Sequence, residues 1–107
     1  MVFEQGDIIV VDFDPTKGHE PQKRRPALVV SNADYNIATS LTIVCPITSS
    51  ESRFFLHDPL PDGTKVNGSV AIEQVRAIDL DARGAKKVDE LSGQALEDIL
   101  SCLRSFF

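Results

Sequence analysis

From Asp7 the chain reads DIIVVDFDP, a segment crowded with Ile, Val and Phe and closed by Pro15. Apolar, β-branched residues at successive positions predict a buried strand of about eight residues. The next stretch, TKGHEPQKR, is polar, holds Gly18 and Pro21, and has no period. It reads as a loop, and a polar loop of that length between buried strands is more often functional than a mere connector. RPALVVSN then predicts a second strand. Pro26 lacks an N–H, which places it at a sheet edge or at the first strand position. ADYNIATS has room for one or two helical turns, and LTIVCPITSS for a third strand, in which Pro46 marks an edge or a bulge.

FFLHDPL follows as a strand, PDGT as a reverse turn with Asp62 and Gly63 in the turn positions, and GSVAIEQVRAIDL as one strand or as two separated by a bend. Beyond Ser92 the period changes. Leu96, Ile99, Leu100, Leu103, Phe106 and Phe107 recur at helical spacing, with Ser92 placed as N-cap and Glu97 and Asp98 on the other face. This C-terminal amphipathic helix must bury its stripe, and in so small a chain the sheet is the available partner. Five or six short strands with one terminal helix predict a mainly β fold with a strongly bent sheet or small barrel. The 107 residues suffice for one domain, 1–107, and not for two ordinary ones; no repeat or linker divides them.

An apolar share of 42% and a charged share of 25% are those of a globular protein. No run approaches the length of a membrane helix, and MVFEQGD lacks the pattern of a secretion signal, so a cytoplasmic location is expected. Cys45 and Cys102 do not form a disulfide framework and read as buried thiols. His19 and His57 form no HxH or HExxH pattern, so no metal and no cofactor are expected.

The formal net charge is −5 and the pI about 4.8, which argues against a protein that coats nucleic acid non-specifically. Against that background Lys23, Arg24 and Arg25 stand together at the mouth of the second strand. Like charges crowd at a cost unless solvent or an anion accepts them. An acidic body with one basic site would repel long polyanions while focusing a phosphate onto one place.

Four blocks in order, GDIIVVDFDPTKGHE, RRPALVVSN followed by YN, CPITS, and EQVRAIDLDARGAKK, resemble the MazF/PemK family of bacterial toxins over nearly the whole chain. The resemblance implies an SH3-like small barrel of the CcdB/MazF/PemK kind, a homodimer, and metal-independent endoribonuclease cleavage of single-stranded RNA within preferred sequences. It implies 2′,3′-cyclic phosphate and 5′-hydroxyl ends, and so an mRNA interferase that inhibits translation and growth. The family's catalytic arginine stands just before the proline that opens the second strand, where this chain has Arg25. Its catalytic threonine matches Thr48, with Ser49 beside it. Gly18, His19 and Glu20 match a loop bordering the RNA groove, and Glu73 and Gln74 match an acid–glutamine pair reaching into that groove. The chain departs from many relatives at Pro21, Gln22, Lys23 and Arg24, where they carry glutamine and then glycine. The resemblance further implies a cognate antitoxin of the MazE/PemI kind, with DNA contacted only through the antitoxin complex and no membrane partner.

The residues suit this chemistry. When the substrate's own 2′-hydroxyl is the nucleophile, the protein supplies positioning, proton transfer and a sink for negative charge. Arg25 has a permanently charged fork that can hold two phosphate oxygens, and Thr48 can donate to a non-bridging oxygen. Lys23 and Arg24 add candidate phosphate contacts. Either His19 or Glu73 can transfer the proton. Two other readings compete: a non-catalytic binding module on a small bent sheet, and a CcdB-like toxin acting on gyrase. Neither needs Arg25 together with Thr48.

Overall fold

The structure, a computed structural model of the chain, describes residues 2–13, 24–49 and 54–107. Its strands are β1 (Asp7–Asp12), β2 (Arg24–Val29), β3 (Thr42–Thr48), β4 (His57–Pro59), β5 (Ser69–Ala71), β6 (Arg76–Ile78) and β7 (Lys86–Glu90). Helix α1 (Ala33–Thr39) joins β2 to β3, and α2 (Gly93–Arg104) ends the chain. All pairings are antiparallel, in the order β4-β5-β3-β2-β1-β7, with β6 also on β3.

Strands β1, β2 and β3 are covered on both faces, which is why their sequences show runs of apolar residues rather than clean alternation. On one face Ile8, Leu28, Cys45, Ile47 and Val70 pack with Ile99, Leu100 and Leu103 of α2. On the other, Ile9, Val11, Ala27, Val29 and Val44 pack with Phe3, Ile78 and Leu80. Helix α2 thus buries its stripe on the sheet as expected. Ser92 sits at its N-cap position with extended backbone, though its side chain makes no capping bond. Phe106 and Phe107, past the end of the helix, depart from the stripe and are exposed. Helix α1 is opened by Asn32, whose side chain accepts from the Tyr35 N–H at 2.8 Å.

Both prolines lie inside the sheet rather than at an edge, for a reason visible in the ladders. Pro26 faces Val10 of β1, but β2 begins to pair with β3 only at Ala27. Pro46 falls where β3 changes partner: Thr42 to Val44 pair with β6, and Ile47 and Thr48 with β5. A residue without an N–H is tolerated where a ladder is interrupted. Opposite that interruption the chain between β5 and β6 makes the 3₁₀ turn Ile72–Gln74, which is the bend expected within GSVAIEQVRAIDL.

The pattern did not predict β7. Its sequence, KKVDE, has a single apolar residue, and the strand forms because β1 offers an edge and Lys87 reaches the buried Asp7 carboxylate at 3.1 Å. Charged edge strands also resist pairing with other chains.

Candidate active site

Arg25 is the second residue of β2, exposed and paired with Val11 of β1. In the β2–β3 ladder Ala27 faces Pro46, and continuing that register by two residues sets Arg25 against Thr48 at the end of β3. Directly opposed residues of antiparallel strands share a face and stand about 5 Å apart at Cα. Arg25 follows the parity of Ala27 and Val29, and Thr48 that of Val44 and Pro46, so both rise from one face where the apolar packing gives out. A guanidinium and a hydroxyl are therefore carried by neighbouring rigid strands. Ser49 follows, exposed, just past the strand.

The end of β3 is held by a close backbone approach. Thr48 pairs with Ser69 of β5, and Gly68 just before it has φ +136°. A Cβ at Gly68 would overlap the Thr48 carbonyl oxygen. Gly68→Ala is thus expected to destabilise the fold by about 2 kcal/mol or more and to push Thr48 out of place. Thermal unfolding and an RNA-cleavage assay on the variant check both effects.

Arg24 plays a different part from Arg25. Its Nη2 donates to the Val10 carbonyl at 3.3 Å and to the Gly84 carbonyl, so its guanidinium ties β1 to the turn before β7. In that same turn region Arg83 donates through Nη1 to the carbonyls of Asp12 at 3.2 Å and Phe13 at 2.5 Å. Arg76 of β6 lies over the Phe13 ring, 5.2 Å from its centroid. Three arginines therefore brace the end of β1 and the start of β2, the strand that carries Arg25. His19, Glu20 and Lys23 lie outside the described residues.

Glu73 and Gln74 belong to the 3₁₀ turn opposite Pro46. Glu73 Oε2 lies 3.0 Å from Nε2 of His57, a partner with no signal in the sequence: sixteen positions separate them, and only the β4–β5 register, with His57 facing Ala71, brings them together. The carboxylate also reaches the centre of the sheet electrostatically. Burial first, then Glu73 and Cys102, push the Cys45 thiol up to about 12. Among the described residues no group of three or more His, Cys, Asp or Glu side chains is placed to hold a metal ion. Among the described residues no helix is long and apolar enough to cross a membrane.

The antiparallel sheet closed by a C-terminal helix is an architecture that this chain shares with known proteins. Residues 4–107 match the family described as PemK-like, MazF-like toxin of type II toxin-antitoxin system. The chain belongs to that family. It is 38% identical over 109 residues to the endoribonuclease toxin ChpB of Escherichia coli K12, covering 96% of this chain and 92% of that one. It is 36% identical over 104 residues to the endoribonuclease PemK of Escherichia coli, covering 94% and 78%. The crystal structure of MazE–MazF from Deinococcus radiodurans superposes with a TM-score of 0.85 at 30% identity, over 99% of this chain and 95% of that one.

Proposed function

We propose that this protein is an endoribonuclease toxin that cleaves single-stranded RNA by attack of the substrate's 2′-hydroxyl, without a metal ion, and that a cognate antitoxin neutralises it. What supports the reading is the β2–β3 register, which, continued two residues beyond its last pair of Ala27 and Pro46, sets Arg25 against Thr48, in a chain similar along most of its length to proteins named as endoribonucleases.

In this reading the two N–H groups of the Arg25 fork hold non-bridging oxygens of the scissile phosphate, and the Thr48 hydroxyl donates to one of them. Negative charge grows on those oxygens as the 2′-oxygen bonds to phosphorus. Donors already in place stabilise it without reorganising. The bond to the 5′-oxygen then breaks, leaving a 2′,3′-cyclic phosphate, and the leaving oxygen takes up a proton. Glu73 stands four residues along the chain from Ser69, about 10 Å of backbone from the row of Thr48. Removal of the 2′-hydroxyl proton and delivery of a proton to the leaving 5′-oxygen are assigned to His19 or Glu73, the two groups of the expected site that can transfer one.

The same cleft suits a partner that competes with RNA. An antitoxin tail with acidic side chains would offer carboxylates to Arg25 in place of phosphate, and a flexible segment can cover a large surface as it folds. The proposal includes a homodimer, DNA contacted only through the antitoxin complex, and action in the cytoplasm.

The test is incubation of the purified protein with a defined single-stranded RNA in chelator, followed by identification of the termini. Cyclic phosphate and 5′-hydroxyl ends are expected. Intact RNA, or 3′-hydroxyl ends, overturns the reading.

A further inference from the structure

His57 is the unusual partner of Glu73. Its side chain is nine-tenths buried, at 9% exposure, whereas that of Glu73 keeps 29%. The ring is fixed from several directions. Its backbone N–H donates to the Phe54 carbonyl at 2.9 Å, its strand pairs with β5 through Ala71, and the Phe54 ring meets it edge-on at 5.4 Å. The turn before it is in turn locked to the 3₁₀ turn by the Ile72 N–H, which donates to the Leu56 carbonyl at 3.1 Å.

Nδ1 of His57 is buried and has no hydrogen-bond partner among the described residues. In the neutral ring one nitrogen donates and the other accepts. An ionised carboxylate only accepts, so Nε2 is the donor in the bond to Glu73, and Nδ1 has no part in it. The ring is thus a fixed single donor. It occupies one side of Oε2, and among the described residues Oε1 accepts no hydrogen bond.

The difference in exposure decides which partner faces the solute: Glu73 presents, and His57 holds. Pleat parity adds where. His57 shares a face with Pro59, which pairs with Ser69, which pairs with Thr48. A held carboxylate on the face of Arg25 and Thr48, but about 10 Å along from them, repels phosphate and accepts N–H groups. In single-stranded RNA those are found on base edges. Guanine offers two adjacent donors there, N1–H and the 2-amino group, and two adjacent donors fit a carboxylate best.

We propose that His57 is a positioning residue that fixes Glu73 as a reader of one base flanking the cleaved bond, selecting a guanine over bases with fewer donors on that edge. The inference rests on the reading of the cleft as an RNA site and assigns it part of its sequence preference.

The test is a fluorescence titration of uncleavable single-stranded oligonucleotides, deoxy at the bond that is cut, with guanine, inosine or adenine at each flanking position in turn. At one position the parent protein is expected to prefer guanine about tenfold, a ratio set by hydrogen bonds to a charged, partly exposed acceptor. His57→Leu, which has no donor, should bring that ratio to about one while leaving affinity for the adenine oligonucleotide unchanged. His57→Gln, which carries an amide N–H where Nε2 was, should restore it. Glu73→Gln, a change on the exposed side of the pair, should lose it in a fully folded protein. A merely structural histidine would weaken every oligonucleotide by the same factor, and that result overturns the proposal. So does a parent protein with no guanine preference at any position. Because the titration needs no cleavage, a protein that reads guanine yet cuts nothing keeps this inference and sinks the nuclease reading.

Discussion

Arg25→Ala is expected to reduce cleavage of single-stranded RNA by about a thousandfold while changing stability by no more than about 0.5 kcal/mol. The side chain is exposed on β2, so its loss leaves neither a cavity in the sheet nor a broken ladder. The catalytic loss is large because one residue supplies both a full charge and two parallel donors, and removing a single neutral donor from such a site already costs about a hundredfold. Arg25→Lys keeps the charge but not the fork and should fall between the two. Thr48→Val removes one donor without changing the shape of the side chain, with an expected loss of about a hundredfold. If both groups act on the same phosphate, the double variant should be little worse than Arg25→Ala alone. Single-turnover rates on one defined RNA, with thermal unfolding of each variant, give the whole cycle. An Arg25→Ala protein that cuts at the parent rate removes the site.

Why Arg25 could be singled out in the sequence and His57 could not comes down to the range of the signals. The apolar runs of β1, β2 and β3 are local and long enough to show that these strands are covered twice, and the turn residues around Gly63 are equally local. Arg25 and Thr48 each begin or end such a run, and the resemblance of the RRP and CPITS blocks to the MazF/PemK family is what singles them out. The β7 strand lacks an apolar signature because its stability comes from its neighbour, through the β1 ladder and the Lys87–Asp7 pair. His57 and Glu73 meet through strand register and a 3₁₀ turn, neither of which leaves a periodic trace. Arg24 illustrates the reverse case. Its position in a basic triplet suggested a phosphate contact, yet its guanidinium is engaged by backbone carbonyls of β1 and of the turn at Gly84. Charge in a sequence identifies where an anion is welcome only once the hydrogen-bonding partners of each cation are known.

An RNA carrying one 2′-deoxyribose at the scissile nucleotide is expected to bind nearly as well as the all-ribose strand and to resist cleavage entirely at that bond. The contacts assigned to Arg25 and Thr48 are to phosphate oxygens, which the substitution leaves in place, so ground-state binding should hardly change. What disappears is the nucleophile. Arg25 remains protonated at any physiological pH and cannot activate water, and a threonine hydroxyl attacks only when a base takes its proton. Moving the single deoxy residue along the strand should therefore abolish one cut at a time, always the bond on its own 3′ side, with neighbouring cuts unaffected. Gel analysis of end-labelled strands reads this directly. Cleavage at the deoxy position would mean that water or a side chain attacks phosphorus; the products would then end in a linear phosphate, and the roles of Arg25 and Thr48 would have to be assigned to a different reaction.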